Sequence, residues 1–297
     1  MEGKSIDREQ PRDAREITEG LFGRLPEIAK QLSAKYLDQT IETNRRLTEN
    51  PDDPAEHQPN WHQWGIITHS QKVGQYFRED VPQYLKQWGV DEKVTEHMDE
   101  RIGNRTKWEL VEISVPLHDL GKFVERQVRE KKGKQAKWNY VGHEKKSGEI
   151  VRWPAFTDML QREYGLTREQ IEYVAQCVER HYELANIRDA AIQSKKGFSL
   201  EFVESDDFAR ASEKLAGNFK EFEPELGIYY LADSLAKTDV RITAERDEDI
   251  PPQEPMILQT LSERGLSPKL ANAVKQNPVS IASARKFLQT WAESQES

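Results

Sequence analysis

Leu117-His118-Asp119-Leu120-Gly121-Lys122 is the stretch on which the reading of this chain turns. It closes an apolar segment in which Val111, Val115 and His118 fall in line at helical spacing, while Leu110, Ile113 and Leu117 widen the stripe. A helix over residues 107–118 is therefore predicted to be buried on most sides, with Pro116 distorting its last turn. An imidazole and a carboxylate delivered to the end of such a helix need a charged partner, because an ionised carboxylate is costly to bury alone. Lys122, three residues on, fits a site that takes something anionic.

The same pattern recurs elsewhere. Ile66, His69, Val73 and Phe77 share one face of a helix predicted over residues 64–77, so His69 interrupts an apolar stripe. Ile171, Val174, Val178 and His181 repeat it over residues 168–181, again with histidine at the C-terminal end. Leu226, Tyr229, Tyr230 and Asp233 place a carboxylate among aromatics in a helix over residues 224–242, and His143 opens another over residues 143–151. A single histidine on an apolar face is more often a satisfied core residue than a ligand. Six such positions, His69, His118, Asp119, His143, His181 and Asp233, form a set that can hold divalent metal. Imidazole and carboxylate donors without thiolates suit borderline to hard cations and argue against a structural zinc site. His57, His62 and His97 lie in polar, proline-flanked or charged surroundings and are expected at the surface, with His62 near enough to His69 in sequence to approach a site mouth.

The organisation is all-α. A helical lead-in (one or two helices over residues 21–47, started or kinked at Pro26) ends in a polar, proline-punctuated loop over residues 49–59. The expected divisions are residues 1–60 for lead-in and loop, 61–244 for the core, and 245–297 for an acidic linker and small helical tail. Residues 198–203 are the best candidate for a short extended piece. With 32% charged residues and a net charge of −9, the chain does not have the basic balance of a protein that coats nucleic acid. No apolar run approaches the ~20 residues that cross a bilayer, and residues 1–15 contain no apolar signal segment. The single cysteine, Cys177, sits in a core pattern and fits a reducing, cytoplasmic setting.

The order His69, His118-Asp119, His143, His181, Asp233 resembles the HD-domain superfamily of metal-dependent phosphohydrolases over residues 64–241, and His118-Asp119-Leu120-Gly121-Lys122 is a close match to its core motif. Gly142-His143-Glu144 with Ser147-Gly148 resembles the following segment in nucleotidyltransferase-associated and cyclic-dinucleotide-degrading members. The resemblance implies an HD-domain helical bundle carrying extra N- and C-terminal helices. It also implies a centre of two divalent ions, drawn from Mn, Fe, Ni, Mg or Zn. His69, His118, Asp119 and Asp233 would surround one ion; His143, His181 and the bridging Asp119 would hold the other. Asp119 and Lys122 would be catalytic, the lysine stabilising charge on a phosphate attacked by a metal-activated water. Arg180-His181 stands where the cyclic-dinucleotide-degrading group carries two consecutive histidines, and its Gly-Tyr-Pro triplet is absent, which points away from cyclic di-GMP.

Arg126, Lys131, Lys132 and Lys134, followed by Trp138 and Tyr140, lie between the His-Asp motif and His143. Cations interleaved with aromatics can hold phosphate and stack a base; a solvated connector is the equal alternative. The expected partner is a phosphorylated small molecule or short oligonucleotide, with no membrane. A phosphodiesterase or phosphatase on a nucleotide or oligonucleotide leads. A single-strand nuclease of HD type and a non-catalytic nucleotide-binding regulatory module are the alternatives.

Overall fold

The computed structural model describes residues 12–129, 136–241 and 253–295. The chain opens with α1 (Ala14–Tyr36) and α2 (Glu42–Glu49), then enters α3 (Ile66–Glu79), α4 (Val81–Gln87), α5 (Asp91–Met98) and α6 (Lys107–Ser114). Next come α7 (His143–Arg152), α8 (Pro154–Tyr164), α9 (Arg168–Arg180), α10 (Ile187–Gln193), α11 (Leu200–Val203) and α12 (Asp206–Asn218). The last elements are α13 (Glu223–Ala236), α14 (Glu254–Glu263) and α15 (Ala271–Ser294). Two short antiparallel hairpins, β1 (Arg101–Ile102) with β2 (Arg105–Thr106) and β3 (Gln127–Arg129) with β4 (Lys137–Asn139), are its strands among the described residues. The expected all-α bundle is what the chain forms, and no described helix is long and apolar enough to cross a membrane.

Local chemistry sets the helices that matter for the site. Thr106 and Glu109 form a reciprocal capping box that starts α6, and Thr167 with Gln170 does the same for α9. Pro116 lacks a donor, so after Ser114 the chain tightens into a 3-10 turn over Val115–Leu117 that presents His118 at its end. Pro26, by contrast, neither starts nor ends a helix: α1 runs through it, held by burial of Leu21, Leu25 and Ala29 against the core. Residues 198–203 are not extended. Ser199 accepts a hydrogen bond from Phe202 N and caps the single turn α11, which buries Phe202 against Phe208. The alternation of Phe198, Leu200 and Phe202 imitates a strand, but burial on a helical turn wins.

α13 is the central element, buried along nearly its whole length, with α3 and α15 against it; α7 packs on α9. One continuous core takes in Ile17, Leu21 and Leu25 of α1, the helices between, and Phe287, Leu288 and Trp291 of α15. A satellite cluster of Val240, Ile257, Leu261, Leu270 and Val274 lies beneath α14. Most of the expected acidic linker falls in residues 242–252, outside the described residues, and so do Lys131, Lys132 and Lys134.

Gly121 shows how closely the His-Asp motif is pressed against α7. A Cβ built on it would lie 2.0 Å from the His143 carbonyl oxygen, and its N–H donates to Ser147 Oγ at 2.7 Å. Two backbones in contact cannot give way as a side chain can. Gly121→Ala is expected to destabilise the fold by at least ~2 kcal/mol in urea denaturation; a midpoint unchanged from the parent would refute this contact.

Candidate metal centre

Five histidines reach one buried volume, each with Nδ1 held by a backbone carbonyl. His118 Nδ1 donates to Val115 O at 2.7 Å, His143 Nδ1 to Tyr140 O at 2.7 Å and His181 Nδ1 to Val178 O at 2.6 Å. His69 Nδ1 faces Ala236 O at 3.3 Å, and His57 Nδ1 faces Trp64 O at 2.9 Å. A carbonyl only accepts, so in His57, His118 and His181 Nδ1 carries the proton and Nε2 is left to accept, whereas the Nε2 atoms of His69 and His143 face the carboxylates of Asp233 and Asp119. Orienting a ligand histidine through its other nitrogen is how metal sites fix tautomer and aim.

Asp119 stands between two of these sets. Its Oδ2 lies 3.3 Å from His118 Nε2 and 4.0 Å from His69 Nε2, while its Oδ1 lies 3.3 Å from His143 Nε2. Donor atoms of His69, His118 and Asp119 fall within 4.8 Å of one another, and so do those of Asp119, His143 and His181. All five residues are buried. Asp233 lies beside the first set rather than inside it, its Oδ1 2.9 Å from His69 Nε2. His118 Nε2 and Asp119 Oδ1 are buried without a hydrogen-bond partner. Such orphans are rare unless something else satisfies them. With donors of this type, the residues fit divalent metal.

The charges in the centre are balanced by the chain itself. Lys122 Nζ lies 2.7 Å from Asp119 Oδ2 and 2.9 Å from His57 Nε2; Lys237 Nζ lies 3.2 Å from Asp233 Oδ2. Burial alone would raise both carboxyls. Instead His118 and Lys122 hold Asp119 well below the usual carboxylate range, and Lys237 with His69 does the same for Asp233. Burial, with His118 and His143 nearby, pushes His181 down to about 3. Burial also lowers His57, His62 and His69. His143 goes the other way: burial opposes its charge, but contacts with Asp119 and Glu144 raise it.

Three expectations need correction. His57 and His62 are not at the surface. His57 is fully buried, His62 nearly so, and their rings stack at 3.9 Å with His62 edge-on to His69 at 4.8 Å. Both hang on a non-helical segment, where periodicity assigns no face. Arg126 is not a free cation for substrate: it is buried, ion-paired with Glu56, bonded to Thr43 O at 2.8 Å and stacked on Trp138 at 4.5 Å. Its partner lies far upstream in sequence, which makes a structural cation look like part of a solvated run. His97 is half-buried and faces Glu225 at 3.0 Å, away from the centre.

A cavity of about 400 Å³ opens onto the centre. Asp119, Lys122, His143, His181 and Asp233 line it, joined by His62, expected near a site mouth, and by Trp61, Tyr182, Arg188 and Lys237, which sequence patterning did not single out. No protein-family model matches this chain, and no curated protein matches it. The protein is an all-helical bundle whose buried His/Asp cluster is compatible with an HD-type metal site.

The depressed imidazoles give acid sensitivity a definite sign. A histidine whose folded pKa lies below its unfolded value of about 6.5 favours the unfolded state as protons bind there first. The stability is therefore intact above about pH 6.5 and is lost as pH falls towards about 3, the value for His181. His57, His62 and His69 add the same sign, whereas His143 alone opposes. For the metal-free protein, the urea midpoint is expected to fall steadily from pH 7.5 to pH 4.5, and His181→Gln should flatten that slope. A midpoint that rises on acidification would contradict the burial of these rings.

Proposed function

We propose that this protein is a metal-dependent phosphohydrolase of the HD-domain superfamily, acting on a nucleotide or short oligonucleotide. The observation that carries the reading is Asp119, whose two oxygens face the Nε2 atoms of two separate sets of imidazoles. His69, His118 and Asp119, with Asp233 beside them, would hold one divalent ion and Asp119, His143 and His181 a second; such ions would supply Lewis acidity to a phosphoester and lower the pKa of water. Thiolates are absent from the donor set, which suits Mn, Fe, Ni, Mg or Zn in a site that does chemistry rather than one that only staples a fold.

The chain's own residues do the rest. Lys122 is 5% exposed and lines the cavity, so its ammonium acts in a low-dielectric setting where one positive charge counts for most. His57 accepts a hydrogen bond from Lys122 and fixes where that charge stands. His57 is thus a positioning residue, and Lys122 is the catalytic cation that meets charge developing on phosphate. The cavity, at about 400 Å³, falls in the range that takes a small ligand.

The test is reconstitution with Mn, Fe, Ni or Zn, followed by elemental analysis and turnover of nucleotides, cyclic dinucleotides and short oligonucleotides. Close to two ions per chain are expected. Asp119→Ala should lose both ions, and His181→Gln should lose one. Lys122→Ala should keep its metal and lose roughly 10²-fold in kcat, the usual scale for removing one electrostatic stabiliser. A fully loaded protein inert on every ester would sink the proposal; so would full activity without Lys122.

A further inference from the structure

Three cations line the cavity, and two of them are already committed. Lys122 is paired with Asp119 and Lys237 with Asp233. Arg188 is different: among the described residues no carboxylate pairs with it, and its Nε is buried without a hydrogen-bond partner. Its guanidinium is held by rings instead, 4.7 Å from the centroid of Phe198 and 5.7 Å from that of Trp61. The nearest polar contact is a long one, Nη2 to Ser280 Oγ at 3.5 Å. These cation–π contacts hold the guanidinium without using its donors. A planar cation oriented in this way, with donors to spare at a cavity wall, is built to meet an oxyanion through paired hydrogen bonds.

Its position follows from the fold. His181 follows α9, a 3-10 turn over Glu183–Asn186 comes next, and α10 begins at Ile187, so Arg188 belongs to the same corner that carries His181. The turn is anchored by Leu184 and Ala185, both buried. Arg188 is therefore fixed relative to the His143 and His181 side of the centre, but it is not among the residues of either donor set.

We propose that Arg188, held by Trp61 and Phe198, is a second anion subsite that takes a non-reacting phosphate, so that the preferred substrates carry at least two phosphates. The inference rests on the proposed phosphoester site, with the first phosphate at the metal centre. It goes further by assigning the substrate class and the residue that selects it. A purely structural Arg188, packed on aromatics for its own sake, would give the cavity no preference between one phosphate and two.

The experiment compares affinities for adenosine 5′-monophosphate and adenosine 3′,5′-bisphosphate by calorimetry, using the full chain incubated with Mn²⁺, with hydrolysis followed in parallel. The parent should bind the bisphosphate about 10-fold or more tighter, the scale of one charge-assisted pair. In Arg188→Met, which keeps the apolar stem between the rings, the ratio of the two affinities should fall to near 1. Arg188→Lys, which keeps the charge and loses the fork, should retain only part of the ratio and serves if the methionine variant fails to fold. A parent with no preference for the bisphosphate overturns the proposal, and so does a preference that survives in both variants. A preference that depends on Arg188 in a protein that turns over no ester supports the subsite and counts against the hydrolase reading alone.

Discussion

A carboxylate buried between two sets of imidazoles is the constraint to which the rest of this molecule answers. Asp119 is 2% exposed, one of its oxygens has no hydrogen-bond partner, and it sits in a turn too tight to turn away. The surrounding rings are aimed at it by an economical device. Helix ends leave carbonyls that the helix itself cannot satisfy. His181 follows α9 and uses the free Val178 carbonyl; His118 follows the 3-10 turn and uses that of Val115. His143 takes the carbonyl of Tyr140, three residues back, at the other end of a helix. In each case a carbonyl three residues back anchors the ring, and those of Val115 and Tyr140 also accept the backbone N–H of the same histidine.

Such a centre would strain the fold if its charges were left alone. Removing one partner of a buried ion pair typically costs several kcal/mol. Lys122 on Asp119 and Lys237 on Asp233 supply that compensation from within the chain. Both are lysines, with flexible stems and a compact charge, and both reach the cavity wall. The compensating cations thus stand where an anionic ligand would arrive, so that fold stability and ligand attraction draw on the same two groups.

Much of this was legible from periodicity. His69, His118 and His181 interrupt apolar stripes at helical spacing, and Asp233 lies among aromatics on α13, a helix buried nearly throughout. His143 has no stripe behind it and was visible only through its motif, because it opens α7 instead of lying along it. His57, His62 and Arg188 were not singled out as site residues, each for a physical reason. The first two lie in a proline-flanked segment with no periodic face, and Arg188 owes its importance to rings at positions 61 and 198. Arg126 was misjudged for the same reason: its partner Glu56 is brought to it by the fold and not by the sequence.

That last contact explains why a stretch without helical pattern can place a residue at the centre. Glu56 is buried between Arg126 and Arg46, and its backbone carbonyl accepts hydrogen bonds from Trp138 Nε1 and Tyr140 Oη. The segment before α3 is thereby fastened to the β3–β4 hairpin on both its side chain and its backbone. His57 is the next residue, and its Nε2 accepts from Lys122. A loop that looks in sequence like a spacer between helices therefore sets the position of the ammonium beside Asp119. The β3–β4 hairpin does its described work through Trp138, and Tyr140 just beyond β4 adds to it, as a brace for that loop. The lead-in and the insertion after the His-Asp motif thus act on the centre together, through one buried glutamate.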